Sequence, residues 1–102
     1  MTVMVMVSAR VKPGCEEAFE KAFETVRAQV KGTDGHLGDR LVRDRDSGRY
    51  ILVGEWESAE KFASWEDAPV HREMTVPMRE YWDGGVERTV FEVVSEPSPA
   101  AT

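Results

Sequence analysis

Residues Gly54–Met78, GEWESAEKFASWEDAPVHREMTVPM, join the end of an apolar strand to a pair of short helices, and the order of elements around that junction decides the fold. Just upstream and overlapping it, Arg49–Glu57 (RYILVGEWE) has the aromatic and β-branched content of a strand and is apolar on consecutive positions in its middle. Downstream, Ser58 supplies an N-cap for a helix through Glu66. Ala68-Pro69 interrupts it, and a second helical segment is expected from there to about Trp82, with a kink or restart at Pro77. The stretch carries two of the three tryptophans, one of the two histidines and two methionines, a mix that suits a small core or the lining of a pocket for a flat organic molecule.

Working outward, His36–Asp44 (HLGDRLVRD) reads as a half-exposed strand, with Leu37 and Leu41 on one face and Val42 on the other. Arg45-Asp46-Ser47-Gly48 then makes a hairpin turn into the next strand. Cys15–Val30 repeats apolar residues at three and four and is an amphipathic helix. Thr2–Val11 is a strand that is apolar at every position from Val3 to Val7, so both of its faces need cover. After the Asp83-Gly84-Gly85 turn, Val86–Val94 makes a last strand. Strand, helix, strand, strand, helix pair, strand is the ferredoxin-like split βαβ order, an α+β fold with a four-stranded antiparallel sheet and helices on one face. Two sheets packed face to face in a homodimer, a dimeric α+β barrel, would cover the other face. Residues 1–94 form a single domain in this reading, and 95–102 a flexible C-terminal tail.

Composition narrows the partners. A hydrophobic fraction of 41%, a charged fraction of 31% and a net charge of −6 fit one globular domain and argue against nucleic acid, whose phosphates need a basic surface. No apolar run approaches the roughly 20 residues of a membrane span, and Met1–Val7 lacks the flanks of a signal peptide, so no membrane partner and a cytoplasmic location are expected. One cysteine, Cys15, excludes an internal disulfide and any Cys-x-x-Cys site. The common nucleophile, phosphate-loop and zinc motifs are absent, and no metal is expected.

The segments GHLGDRLVRD, GRYILVGEWES, FASWEDAPVHRE and FEVV resemble the antibiotic biosynthesis monooxygenase superfamily across residues 2–94. Within it the chain is similar to the small oxygenases of aromatic polyketide tailoring, of the tetracenomycin type. The resemblance implies a homodimer that oxidises a phenolic polycyclic aromatic polyketide to a quinone with O2, using no cofactor. Two alternatives stay open: a small-molecule-binding or assembly protein of a biosynthetic cluster, and a small-quinol oxygenase. Haem-degrading members carry an asparagine on the first strand, a tryptophan after the W-E-S turn and an iron-ligating histidine one helix further. Trp65 matches the tryptophan, but the asparagine position falls at Val7 or Ser8 and the histidine position at Met74 or Thr75. Anthrone-type oxygenases place an asparagine four residues before the W-E-S tryptophan, which is Trp56 here, and that position is Leu52. The chain contains no asparagine.

Phenol oxidation by O2 needs a proton acceptor, a dry aromatic cavity and a donor or cation for the charge that moves onto oxygen. His71 and His36 are the only histidines. The resemblance places His71 toward the family's cavity as base or anchor, with packing near Pro69 as the alternative. The catalytic candidates are His71, Trp56 and Trp65. Tyr50, Leu52, Gly54 and Trp56 share one strand face, and Gly54 leaves room there for a ring. Phe62 lies three residues before Trp65 on the same helix, and Val70, Met74 and Met78 form a stripe that suits core or pocket wall. Arg72 and Arg79 are cations for a phenolate or simply exposed. The substrate-binding candidates are thus Tyr50, Leu52, Gly54, Phe62, Arg72, Met74, Met78 and His36.

Overall fold

The structure, a computed structural model, describes residues 1–97. Its elements are β1 (Val3–Ala9), α1 (Glu16–Val30), β2 (His36–Arg43), β3 (Tyr50–Trp56), α2 (Ala59–Asp67), α3 (Pro69–Arg79) and β4 (Glu87–Glu92). The strands pair antiparallel in the order β2-β3-β1-β4, the ferredoxin-like arrangement that the element order implies. From residue 98 onward the expected tail lies outside the described residues.

Helix α1 buries Phe19, Phe23, Val26 and Val30, spaced four, three and four apart, against Tyr50 and Met78. Each such side chain contributes about 1.5–3 kcal/mol when taken fully from water. A second cluster unites Val3, Val5, Trp56 and Phe62, and Trp65 packs against both clusters. Trp65 is therefore the joint between the two halves of the core.

Local signals set the helix ends. Ser58 Oγ accepts the Lys61 N–H at 3.2 Å and opens α2, and the extended Ala68 closes it so that Pro69 can start α3. Contrary to expectation, α3 is not restarted at Pro77, and it ends at Arg79 rather than near Trp82. The proline lies two residues from that end, so the hydrogen bond it removes belongs to the last turn. Trp82 instead makes an isolated bridge to Val11, flanked by bonds from Lys12 N–H to Tyr81 O and from Asp83 N–H to Arg10 O. These tie the end of α3 to the end of β1, which as a strand stops at Ala9.

Strand β2 departs from simple alternation. His36 pairs with Trp56 and Gly38 with Glu55, so Leu37 is an extra residue at a β-bulge. The expectation that Leu37 and Leu41 share a face is corrected accordingly: Leu41 packs on the core, while Leu37 is 53% exposed. The bulge brings His36 and Asp39, three apart, onto one face opposite Trp56 and Gly54. On the sheet face away from the helices, Met4, Met6 and Ile51 are half-buried around Val53, and Val42 and Phe91 are exposed. Among the described residues no helix is long and apolar enough to cross a membrane.

Candidate functional site

A cavity of about 200 Å³ lies between α2, α3 and the inner face of the sheet. Val5, Val7, Leu52 and Gly54 make its floor, and Phe62, Trp65, His71, Thr75 and Met78 its roof. Asp39 enters from β2 and Arg88 from β4, while Arg79 and Trp82 border the end of α3. The walls are mainly apolar and aromatic with a few polar groups, the usual make-up of a small-molecule site.

The rings are mutually packed. Trp56 lies 5.3 Å from Trp65 between centroids and 5.7 Å from Phe62, and His71 stands edge-on to Trp65 at 4.4 Å. Trp65 Nε1 is buried without a hydrogen-bond partner among the described residues. A buried donor of this kind costs free energy until something accepts from it, so it is a natural anchor for a ligand oxygen.

Burial lowers the His71 pKa below its ordinary value, with a further contribution from Arg79; Glu66 opposes this and Arg88 adds to it. The imidazole is thus neutral at neutral pH and free to accept a proton. Thr75 donates to His71 O at 3.0 Å and accepts from Arg79 Nε at 3.0 Å, which fixes the Arg79 guanidinium over the Trp82 ring. Arg88 binds both carboxylate oxygens of Glu66, with Nη2 to Oε1 at 2.7 Å, and lies over Phe62.

Of the residues singled out in the sequence, His71, Trp56, Trp65, Leu52, Gly54, Phe62 and Met78 line this cavity. Four others do not. Tyr50 sits in the α1 core and donates its hydroxyl to Glu20; burial first, and that bond second, raise its pKa. Met74 packs on the same core, and Arg72 is exposed. His36 lies behind the cavity wall, edge-on to Trp56 at 5.0 Å, with Nε2 3.0 Å from Asp39 Oδ2. Val70 is 41% exposed, so the buried stripe of α3 runs through His71, Thr75 and Met78 and not through Val70. Gly54 leaves no empty space for a ring, because a Cβ there would stand 2.8 Å from Asp39 Oδ1.

Sequence reasoning missed Asp39, Trp82 and Arg88, and passed over Arg79 for Arg72. Steps of three and four from His71 reach Thr75, Met78 and Arg79, so helical spacing alone pointed to these, whereas Trp82 lies beyond the end of α3. A larger groove of about 660 Å³ lies between α1 and β2, but Glu20, Glu24, Arg27, Asp39, Arg40 and Arg43 line it with charge and it holds none of the Trp56, Phe62, Trp65 and His71 rings. Among the described residues no group of three or more histidine, cysteine or acidic side chains is placed to hold a metal ion.

Comparison with known proteins identifies the family. Residues 2–75 match the family model described as antibiotic biosynthesis monooxygenase. Protein SchA of Streptomyces halstedii is 28% identical over 80% of this chain, which spans 22% of that relative's length. A haem oxygenase (mycobilin-producing) of Mycobacterium tuberculosis is 33% identical over 68% of this chain and 67% of its own. The crystal structure of SnoaB, a cofactor-independent oxygenase from Streptomyces nogalater, shares the fold with a TM-score of 0.79 at 19% identity, covering 96% of this chain and 98% of that one. With its family model matched over most of its length, the chain belongs to the antibiotic biosynthesis monooxygenase family.

Proposed function

We propose that this chain is a cofactor-independent oxygenase that converts a phenolic aromatic, in the resemblance a polycyclic polyketide, to a quinone. The observation that carries the reading is His71, set edge-on to Trp65 inside an aromatic cavity where burial lowers its pKa. His71 takes the phenol proton, and the phenolate gives an electron to O2. The radical pair combines at the ring carbon, one oxygen atom becomes the new carbonyl and the other leaves as water. Arg79 and the Trp65 N–H stabilise the charge as it moves onto oxygen, a contribution of up to about 10²–10³ in rate per donor.

The cavity volume favours a second reading, oxidation of a small quinol. About 200 Å³ exceeds the roughly 150 Å³ that holds a benzene and falls short of the roughly 300–1,000 Å³ of larger ligand sites. One or two rings fit, so a polycyclic substrate would insert its reacting ring and leave the rest outside. Haem fits poorly on the same ground. The position expected for its iron ligand is Met74 or Thr75, and the Thr75 hydroxyl is already engaged by His71 O and Arg79.

Oxygen uptake after flavin and metal removal, with naphthalenediols and tetracyclic phenols as substrates, is the test. One O2 consumed per quinone formed is expected, and preference for the naphthalenediols selects the small-quinol reading. Uptake that stops when flavin is removed overturns the mechanism, and no uptake with any phenol leaves a binding or assembly protein.

A homodimer is part of the proposal. Val3–Val7 is apolar on both sides, and the outer face carries Met4, Met6, Ile51, Val53 and Phe91, which a second copy would cover. Sedimentation velocity is expected to show twice the chain mass at micromolar concentration; a monomer there rules it out.

A further inference from the structure

We infer that Asp39 is a second polar anchor of the cavity, receiving a hydroxyl of the ligand other than the one His71 serves, so that the site selects aromatic diols over monophenols. The inference rests on the reading of the cavity as a phenol site.

Three observations carry it. The Asp39 side chain is only 11% exposed, yet it borders the cavity. Burying a carboxyl group there is costly unless a donor meets it. Among the described residues its one basic neighbour within ion-pair distance is His36, whose side chain is 5% exposed. His36 Nε2 lies 3.0 Å from Oδ2 but is not aligned for a hydrogen bond and is buried without a partner. Oδ1 points the other way, over Gly54, where the absence of a side chain makes room for it: a Cβ would approach to 2.8 Å.

The arrangement is built by the chain. His36 and Asp39 are three apart, which in a regular strand puts them on opposite faces of β2, and the bulge at Leu37 sets them on the same one. The bulge turns both inward, and the Trp56 ring packs against His36, which thereby backs the carboxyl group. Asp39 belongs to the sheet and His71 to α3, so the two anchors reach the cavity from different layers. A ring held between them presents one oxygen to each, which a diol does and a monophenol cannot.

Calorimetric titration without oxygen, comparing naphthalenediols with the two naphthols, tests this on the intact chain. The best diol is expected to bind about ten-fold or more tightly than the naphthols, the scale of one hydrogen bond to a charged group. Asp39→Ala is expected to abolish that preference, bringing diol affinity down to that of the naphthols, an outcome that general loss of packing, which weakens both alike, does not give. Gly54→Ala, which retains the carboxyl group but crowds it, is expected to reduce the preference as well. A wild-type chain without preference for diols overturns the inference even if the variants do not fold, and so does a preference that survives Asp39→Ala. Binding is measured without turnover, so diol selectivity with no oxygen uptake would sink the oxygenase reading alone.

Discussion

Replacing His71 by glutamine is expected to lower oxygen-dependent turnover by about 10²–10⁴-fold, the usual worth of a positioned base. Glutamine keeps the size and a hydrogen-bonding end but takes no proton at neutral pH. The variant should still bind phenols, so the loss should fall on kcat more than on KM. Turnover within a few-fold of wild type would remove His71 from the mechanism. The pH profile gives a second check. Because burial and then Arg79 lower the imidazole pKa, wild-type turnover should hold as pH falls through the ordinary histidine range and decline only below about 6.5. Stability moves in the same direction. Between the lowered native value and the ordinary one, the unfolded chain binds the proton and the native chain does not, so wild-type stability drops as pH falls through that window. His71→Gln should be free of that contribution, and urea midpoints of the two proteins should diverge only below about pH 6.5.

Trp56→Ala is expected to cost about 3–5 kcal/mol of folding stability, read from the urea midpoint. The ring is 2% exposed and packs against His36, Phe62 and Trp65. Its loss removes a cavity wall and weakens the contact between β3 and α2 together. Arg72→Ala is the control: exposed and outside the cavity, it should stay within about 0.5 kcal/mol. A Trp56→Ala midpoint equal to that of Arg72→Ala would show that the tryptophan wall does not hold the fold.

The architecture was legible because the hydrophobic periods are strong. Four-and-three spacing from Phe19 to Val30, consecutive apolar residues in β1 and β3, and Ser58 before α2 each mark an element without help from distant residues. The tryptophans of the site were legible by resemblance. Asp39 was not: an acid in a half-exposed strand reads as surface, although its two-residue step from the core-facing Leu41 sets it on the inner face. Arg88 escaped notice because its role needs Glu66, 22 residues away in sequence and adjacent only after β4 joins the sheet. Arg79 lost to Arg72 for a simpler reason: which side of a short helix faces a cavity is settled by what packs against it, and Met74 packs toward α1.

The bulge at Leu37 makes the polarity of this cavity depend on strand register as well as on residue type. A slip of β2 by one residue against β3 would exchange which side chains face the ring, turning the acid outward without altering a single functional group. Enzyme engineers usually retune a pocket by swapping side chains; here, moving the reading frame of one strand against its neighbour is an equally direct handle.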